Sequence, residues 1–492
     1  MENNKHRLAI FSKGFYPLLL FLVAFVFVTL FSRATSFLYV FEGADPSIFK
    51  QMGRAILKGK IMYIDYFDNK GCLLYFIHAF GLRLGGNFII LLMQACSLTA
   101  TLVIWDKMLA LYRNQRQQVV YLSIVLFMLL CFYGAGDQTQ EWCLPFISYP
   151  LLLYCRAFKT KSEIRPLQML IIGLCFGVIT IIQINNACAF LGFVAWLWTK
   201  YLMKKDFKQL FSSILLFLCG WLIIAVPCIL YFYIVAGGHG VYEMVYAMLL
   251  SNLEYLENSW KPQWFHVVLY SMFVVALSTI QIMQSWKEKD ILVPFALSIG
   301  LFIATFGKLC NSFYLIALIP LCVVSMMTVD LKQQKTIKLA FCGIAMISMV
   351  FYAGNIAKYI LWQNNKLSLI YDDFHHCIKN IPQTERDSIY NYNLYWHGTH
   401  MMEHESLLLS NRVLYTELLD QLPTLRKEEA SKPFNPPKWI MVSFDKPYKT
   451  EDAAYILKNY DLSFSFLYDM GYFKKSSHEE LFEVCLYRRK AP

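Results

Sequence analysis

The 492-residue sequence is short of charge: Asp, Glu, Lys and Arg make up 16% of it, against 57% hydrophobic residues. Soluble proteins of this size carry roughly a quarter charged residues, so a water-soluble globular class is excluded. Within the apolar runs, ionisable groups are nearly absent. Leu167–Ile182, Ser212–Val235 and Ile337–Ala357 hold none until their ends. Proton-coupled pumps and ion-driven carriers bury acids, bases or histidines at mid-membrane, and this lack argues against them. No CxxC pair and no metal-framework spacing is present. The 14 cysteines lie mostly inside apolar runs, where a thiol serves as small apolar filler. Lys5, Arg7 and Lys13 precede the run Phe15–Phe31, a charge order that a signal peptide would share. That run reads as an uncleaved first helix starting in the cytoplasm.

What the chain does have is apolar runs of membrane-spanning length. After Phe15–Phe31 these are Asn87–Leu111, Val119–Tyr133, Cys143–Cys155, Leu167–Ile182, Cys188–Tyr201, Ser212–Val235, Trp264–Gln284, Ile291–Phe306, Ser312–Val329 and Ile337–Ala357. They predict a mainly α, polytopic membrane bundle of about eleven spans. The net charge of +11 does not point to nucleic acid, because the basic residues sit in short clusters between the runs, as cytoplasmic loops do.

Leu73–Leu84 decides the topology. If it crossed, Arg113 and Arg116, Arg156 to Arg165, Lys200 to Lys208, Lys287 and Lys289, and Lys332 to Lys338 would all face outward, against the positive-inside rule. Read as interfacial or re-entrant, it leaves those clusters in the cytoplasm. Gly134–Trp142, Gln183–Ala187, Ala236–Gln263 and Gly307–Asn311 then become outer loops. The first loop is also outside, yet carries Arg33, Lys50, Arg54, Lys58, Lys60, Lys70 and Arg83. Long loops cross regardless of charge, and an anionic lipid head group would favour this one.

In that loop Asp45-Pro46-Ser47 predicts a helix start. Phe49, Met52, Ile56 and Leu57 share a face, with Lys50, Arg54 and Lys58 on the rest. This is an amphipathic helix suited to a membrane surface, stopped by Gly59. Beyond Tyr359 the character changes. Asp387–Asn393, Trp439–Phe444, Leu462–Tyr468 and Leu481–Arg488 predict strands and Glu451–Tyr460 a helix. The expected organisation is a membrane domain, 1–358, and a small extracytoplasmic α/β domain, 359–492. Cys377 and Cys485 suit either a disulfide or two free thiols. His397, His400 and His404 fall short of a zinc signature and fit a polar loop and helix. No cofactor is indicated, and the sequence leaves divalent-metal dependence open.

The carboxylates gather at one membrane face: Asp45, Asp65, Asp68, Asp137 and Glu141. A carboxylate there can take a proton from an incoming hydroxyl or amine, and lysine or arginine can hold a phosphate leaving group. A lipid-phosphate-sugar donor needs both, plus an apolar groove.

Asp45, Phe49, Gly53, Gly59, Tyr63, then Phe67-Asp68-Asn69-Lys70-Gly71 and Leu74-Tyr75, resemble the first outer loop of membrane glycosyltransferases with the GT-C fold. The resemblance is to the bacterial branch related to protein O-mannosyltransferases and the aminoarabinose transferase of lipid A. There an amphipathic helix is followed by a D-H-K-G-P or K-P-P motif, and the second outer loop reads T-E-E-Y-x-L-P. Here the sequences are Asp68-Asn69-Lys70-Gly71-Cys72 and Thr139-Gln140-Glu141-Trp142-Cys143-Leu144-Pro145. Asn69, Cys72 and Gln140 depart from the pattern. Tyr314 and Pro320 near a late span also fit. The resemblance implies Asp45 as the catalytic carboxylate, Glu141 as a second catalytic acid near the acceptor or donor sugar, and Lys70 as a contact to the donor phosphate; Arg54 of the same loop is a further candidate for that phosphate. Asp68, Asp65 and Asp137 would be supporting acids near the acceptor. The implied partners are a polyprenyl-phosphate sugar donor, a lipid, glycan or protein acceptor, and membrane lipids. The implied location is the bacterial inner membrane, with the site facing the periplasm. A lipid-linked glycan transporter and a non-catalytic glycan-assembly protein are the alternatives.

Overall fold

The computed structural model describes residues 2–32, 43–133, 136–258, 264–285, 288–307, 311–328, 364–414, 417–434, 436–445, 449–469 and 481–491. The expected span Ile337–Ala357 and the expected boundary at 358/359 lie outside them. The elements follow the apolar runs closely. They are α1 (Glu2–Phe31), α2 (Ala44–Leu57), α3 (Cys72–Gly85), α4 (Asn87–Leu109), α5 (Gln115–Phe132), α6 (Thr139–Thr160), α7 (Pro166–Gln183), α8 (Cys188–Met203), α9 (Phe207–Val245), α10 (Ser251–Asn258), α11 (Trp264–Ser285), α12 (Lys289–Phe306) and α13 (Ile319–Thr328). Among the described residues, five helical stretches are long and apolar enough to cross a membrane: Asn87–Leu109, Gln115–Phe132, Pro166–Met203, Phe207–Asn258 and Lys289–Phe306. Shorter apolar helices stand at three more of the expected runs: Tyr16–Phe31, Tyr270–Met283 and Ser312–Met327. The chain is a multi-pass membrane protein.

Local signals set the helix ends. Asn114 and Gln117 close a reciprocal capping box at the start of α5, at 3.0 and 3.3 Å. Pro166 occupies the first turn of α7, where its missing N–H leaves no bond unmade. Two expectations are corrected. The outer loop Ala236–Gln263 is largely helical: α9 bends at Gly237 (φ 63), continues to Val245, and passes through a π-turn (Tyr246–Leu250) into α10. The basic side of α2 is not laid on a lipid surface. Lys50 and Gln51 are buried, because α2 is packed between α3 and a C-terminal helix.

The C-terminal part adds α14 (Asn364–Lys379), α15 (Tyr395–His404), α16 (Glu417–Gln421), α17 (Pro423–Ser431), α18 (Thr450–Asn459) and four strands. The strands are β1 (Ile389–Asn391), β2 (Trp439–Val442), β3 (Tyr460–Asp469) and β4 (Leu481–Arg489), in the order β1-β2-β4-β3. β1 runs parallel to β2 (Ile389 opposite Trp439), and the other pairs are antiparallel. β2 is buried along its whole length, as its unbroken Trp-Ile-Met-Val run requires of a central strand. Cys377 and Cys485 are buried free thiols. One apolar core runs from Leu20 and Ala24 of α1 through Met52 and Tyr75 to Met401, Leu409 and Trp439. The C-terminal sheet is thereby continuous in packing with the helices that carry the first loop.

Candidate active site

α2 and α3 are 14 residues each, about 21 Å at 1.5 Å per residue, too short for a hydrocarbon core of about 30 Å. They cross at Gly53, where an added Cβ would meet the backbone N of Ala79 at 2.9 Å. α2 begins at Ala44 after Gly43, whose φ of 102 and ψ of 160 suit glycine alone. Asp45 therefore lies inside the first turn rather than at the cap, and is half-buried.

The loop Asp68-Asn69-Lys70 is held from several sides. Asp68 Oδ2 accepts from the Tyr75 hydroxyl at 2.7 Å, and the Lys70 N–H reaches the same hydroxyl at 3.2 Å. The Tyr63 hydroxyl donates to the Lys70 carbonyl and Asn252 Nδ2 to the Asn69 carbonyl, both at 2.8 Å. Lys70 Nζ donates to Asn69 Oδ1 at 2.6 Å. Gly71 then passes against the end of α7. Its N–H donates to the Ile182 carbonyl at 2.8 Å, and a Cβ there would lie 2.0 Å from the Ile181 carbonyl oxygen. Only glycine fits.

The second acidic loop arrives from α6. Asp137, at φ 58, is fully buried. Its Oδ1 accepts from the Trp142 indole at 2.7 Å, its Oδ2 faces His78 Nε2 at 2.8 Å, and its N–H donates to Glu141 Oε2 at 2.8 Å. Glu141 Oε1 accepts from the Tyr133 hydroxyl. Gln140 and Thr139 both donate to Gln183 Oε1, Gln140 at 3.4 Å.

These pieces form one electrostatic neighbourhood. Burial raises the Asp45 carboxyl above the ordinary aspartate value; Lys70 opposes this, Asp68 and Asp137 reinforce it, and a Gln138 hydrogen bond lowers it, with a net rise. Burial would lower the Lys70 ammonium, but Asp68, Asp45 and Tyr255 together outweigh it and raise it. The Tyr255 hydroxyl is hydrogen-bonded to Tyr314, and both feel Asp45. Asp45, Lys70, Asp68 and Asp137 thus come together, with Glu141 directly behind Asp137. Arg54 is placed elsewhere: its Nε and one terminal nitrogen grip Glu403 of α15 at 2.9 and 2.7 Å, with Ser406 at 3.2 Å. Asp65 is exposed and closes its own turn by accepting from the Ile61 N–H at 2.7 Å. In the sequence Tyr63 and Tyr75 stand out only as members of a motif, and His78, Asn252 and Tyr255 are given no role. A histidine two helical turns beyond Lys70, inside an otherwise apolar run, was the signal available.

The C-terminal part closes over this loop. Arg412 donates to the carbonyls of Ile64 and Tyr63 at 2.9 and 3.2 Å and pairs with Glu243, Glu428 and Glu429. Part of the positive charge assigned above to lipid head groups is matched by protein: Lys58 pairs with Asp387 and Arg54 with Glu403. His400 Nδ1 bonds Ser47 Oγ at 2.7 Å, and His404 stacks on Tyr371 at 4.3 Å. Among the described residues no group of three or more His, Cys, Asp or Glu is arranged to hold a metal.

No family model and no curated protein matches the chain. Solved structures do. In fold the chain, with its apolar helices and a small C-terminal sheet of four strands among the described residues, matches the GT-C type. In particular the chain is similar to ArnT from Cupriavidus metallidurans, solved bound to undecaprenyl phosphate. The identity is 11% and the TM-score 0.62, over 95% of this chain and 97% of that one. It also aligns with the Archaeoglobus fulgidus oligosaccharyltransferase, solved with Zn and sulfate, at 12% identity and TM-score 0.46, over 92% of this chain and 72% of the other.

Proposed function

We propose that the protein is an integral membrane glycosyltransferase that moves a sugar from a polyprenyl-phosphate donor to a lipid, glycan or protein acceptor. The reaction would take place at the outer face of the cytoplasmic membrane, in a bacterial-type inner membrane. The observation that carries this reading is the meeting of a half-buried carboxyl, Asp45, with a half-buried cation, Lys70, just before a non-spanning helix. Asp45 takes the proton of the acceptor hydroxyl or amine as it attacks the sugar's anomeric carbon. The bond from that carbon to the phosphate oxygen breaks. The lipid phosphate leaves as an anion, and Lys70 stabilises the charge it gains. Asp68 and Asn69 fix the lysine, and Asp137 backs the site as a second acid. The likeness to a fold solved with undecaprenyl phosphate supports this class of donor.

The test is mass spectrometry of lipid-linked sugars and surface glycans, with and without the gene. The expected result is accumulation of one polyprenyl-phosphate sugar and loss of one sugar from a surface glycan. Identical profiles would contradict the proposal.

A further inference from the structure

The first loop is held by chain more than three hundred residues away. Segment 407–413, just after α15, runs along it. Gln51 donates to the Leu407 carbonyl at 2.6 Å and accepts from the Leu409 N–H at 3.3 Å. The Tyr66 hydroxyl donates to the Leu409 carbonyl, and Phe67 pairs with Val413. Arg412 grips the turn between Tyr63 and Phe67 at both ends. Its carbonyl accepts from the Phe67 N–H at 2.7 Å, while its side chain donates to the Tyr63 and Ile64 carbonyls at 3.2 and 2.9 Å. The rest of the guanidinium meets Glu243 of α9 at 3.3 Å, and Glu428 and Glu429 of α17 at 2.6 and 2.8 Å. A guanidinium has five N–H groups, and five acceptors surround this one.

The gripped turn is one that needs holding. Tyr63 has φ 68, a conformation costly for a bulky residue and kept only where the surroundings impose it. Its N–H donates to the Tyr66 carbonyl, and its ring packs on Phe232 and Tyr75 at 5.5 and 6.2 Å between centroids. The Tyr63 hydroxyl then donates to the Lys70 carbonyl at 2.8 Å. Arg412, the Tyr63 backbone, the Tyr63 hydroxyl and Lys70 thus form a continuous series of contacts from the C-terminal part into the candidate site.

Resting on the reading of Lys70 as the contact to the donor phosphate, we propose that Arg412 is a positioning residue for donor binding: it fixes the Tyr63 turn, and through the Tyr63 hydroxyl it sets where Lys70 stands. It touches neither donor nor acceptor. The C-terminal part is then a working part of the site as well as its cover. Only arginine suits the place. A lysine keeps a charge for the three glutamates, but its single ammonium lacks the planar fork that reaches both carbonyls as well.

The experiment measures the affinity of the full-length protein in lipid nanodiscs for undecaprenyl phosphate, by native mass spectrometry, with thermal unfolding of each variant alongside. Lys70→Met should bind at least tenfold more weakly. Arg412→Lys should lose about as much, since a misplaced lysine serves no better than an absent one. Tyr63→Phe keeps the ring and removes the hydroxyl, and should weaken binding about threefold to tenfold, as one lost hydrogen bond does. Arg412→Lys with Tyr63→Phe should bind no more weakly than Arg412→Lys alone, because both changes cut the same series. Additive losses would mean that Arg412 only docks the C-terminal part, and would overturn the proposal. Wild-type affinity in Arg412→Lys would overturn it too. If Arg412→Lys does not fold, Tyr63→Phe decides: weaker binding supports the relay and unchanged binding breaks it. Wild-type affinity in Lys70→Met would sink the phosphate reading and this inference together. Weak binding in Lys70→Met beside wild-type binding in Arg412→Lys would sink the inference alone.

Discussion

Lys70 and Asp45 carry most of the chemistry, and each has a simpler structural role that a substitution can separate from it. Lys70 lies just before α3, where a lysine would commonly send its charge to the interface. Instead its ammonium is held by Asn69 and by the fields of Asp68 and Asp45. Lys70→Met should leave a folded protein whose affinity for a polyprenyl-phosphate sugar falls at least tenfold, the size of one lost charge-assisted contact of about 1.5–3 kcal/mol. Titration of the purified variant with donor checks this, and unchanged affinity would remove the phosphate role. Asp45 gives a pH signature. A base must be ionised, and its carboxyl is raised above the usual aspartate value. Transfer should therefore be lost, as pH falls, at a higher pH than an ordinary aspartate would give. A rate–pH profile at saturating donor measures it, and an acid limb at or below the normal aspartate range would contradict the placement.

At the scale of elements, the close approaches do the positioning. Gly71 sits against the α7 carbonyls with no room for a methyl group. Gly71→Ala should destabilise the protein by about 1–3 kcal/mol, as overpacking does, and pull Lys70 out of register. Thermal unfolding in detergent together with a transfer assay checks it, and full activity at wild-type stability would refute the tight fit. The sequence made most elements readable because membrane spans announce themselves by apolar length alone. The strands β2 and β4 and the helix α18 were equally plain from their composition. Where reading failed, the cause was a partner distant in sequence. The basic flank of α2 resembles a surface helix until Arg54 meets Glu403 and Gln51 donates to Glu403 at 3.1 Å, more than three hundred residues on. The segment after Ala236 resembles a loop because its bend at Gly237 and its polar residues hide a helix that is stabilised by packing. Asp45 and Lys70 stand in the sequence in the order of a motif, whereas the contacts of His78 with Asp137 and of Asn252 with Asn69 depend on which loops meet in space.

At the scale of the molecule, a single arrangement brings the first loop, the second acidic loop and the C-terminal sheet to one end of the bundle. The His78–Asp137 contact and the Arg412 bonds to Tyr63 and Ile64 require those three parts to share a side. Cysteines introduced at exposed Lys60 and at exposed Asp461, in a background without the exposed Cys96 and Cys219, should label from the outer face. One at exposed Ser162 should label only after permeabilisation. Labelling of the two outer positions from opposite sides would break the topology and the site together. The central claim is that this face transfers a sugar with Asp45 as base. Asp45 is in the first turn of α2, past the Gly43 N-cap, so its charge there contributes only about 0.3–1 kcal/mol to the helix. Asp45→Asn should fold and express normally, whereas a positioned base contributes roughly 10²–10⁴-fold to rate. The most direct measurement is therefore the turnover of Asp45→Asn against wild type, at equal expression, in membranes supplied with the native lipid-linked donor. The account predicts a loss of about a hundredfold or more; near-wild-type turnover would contradict it.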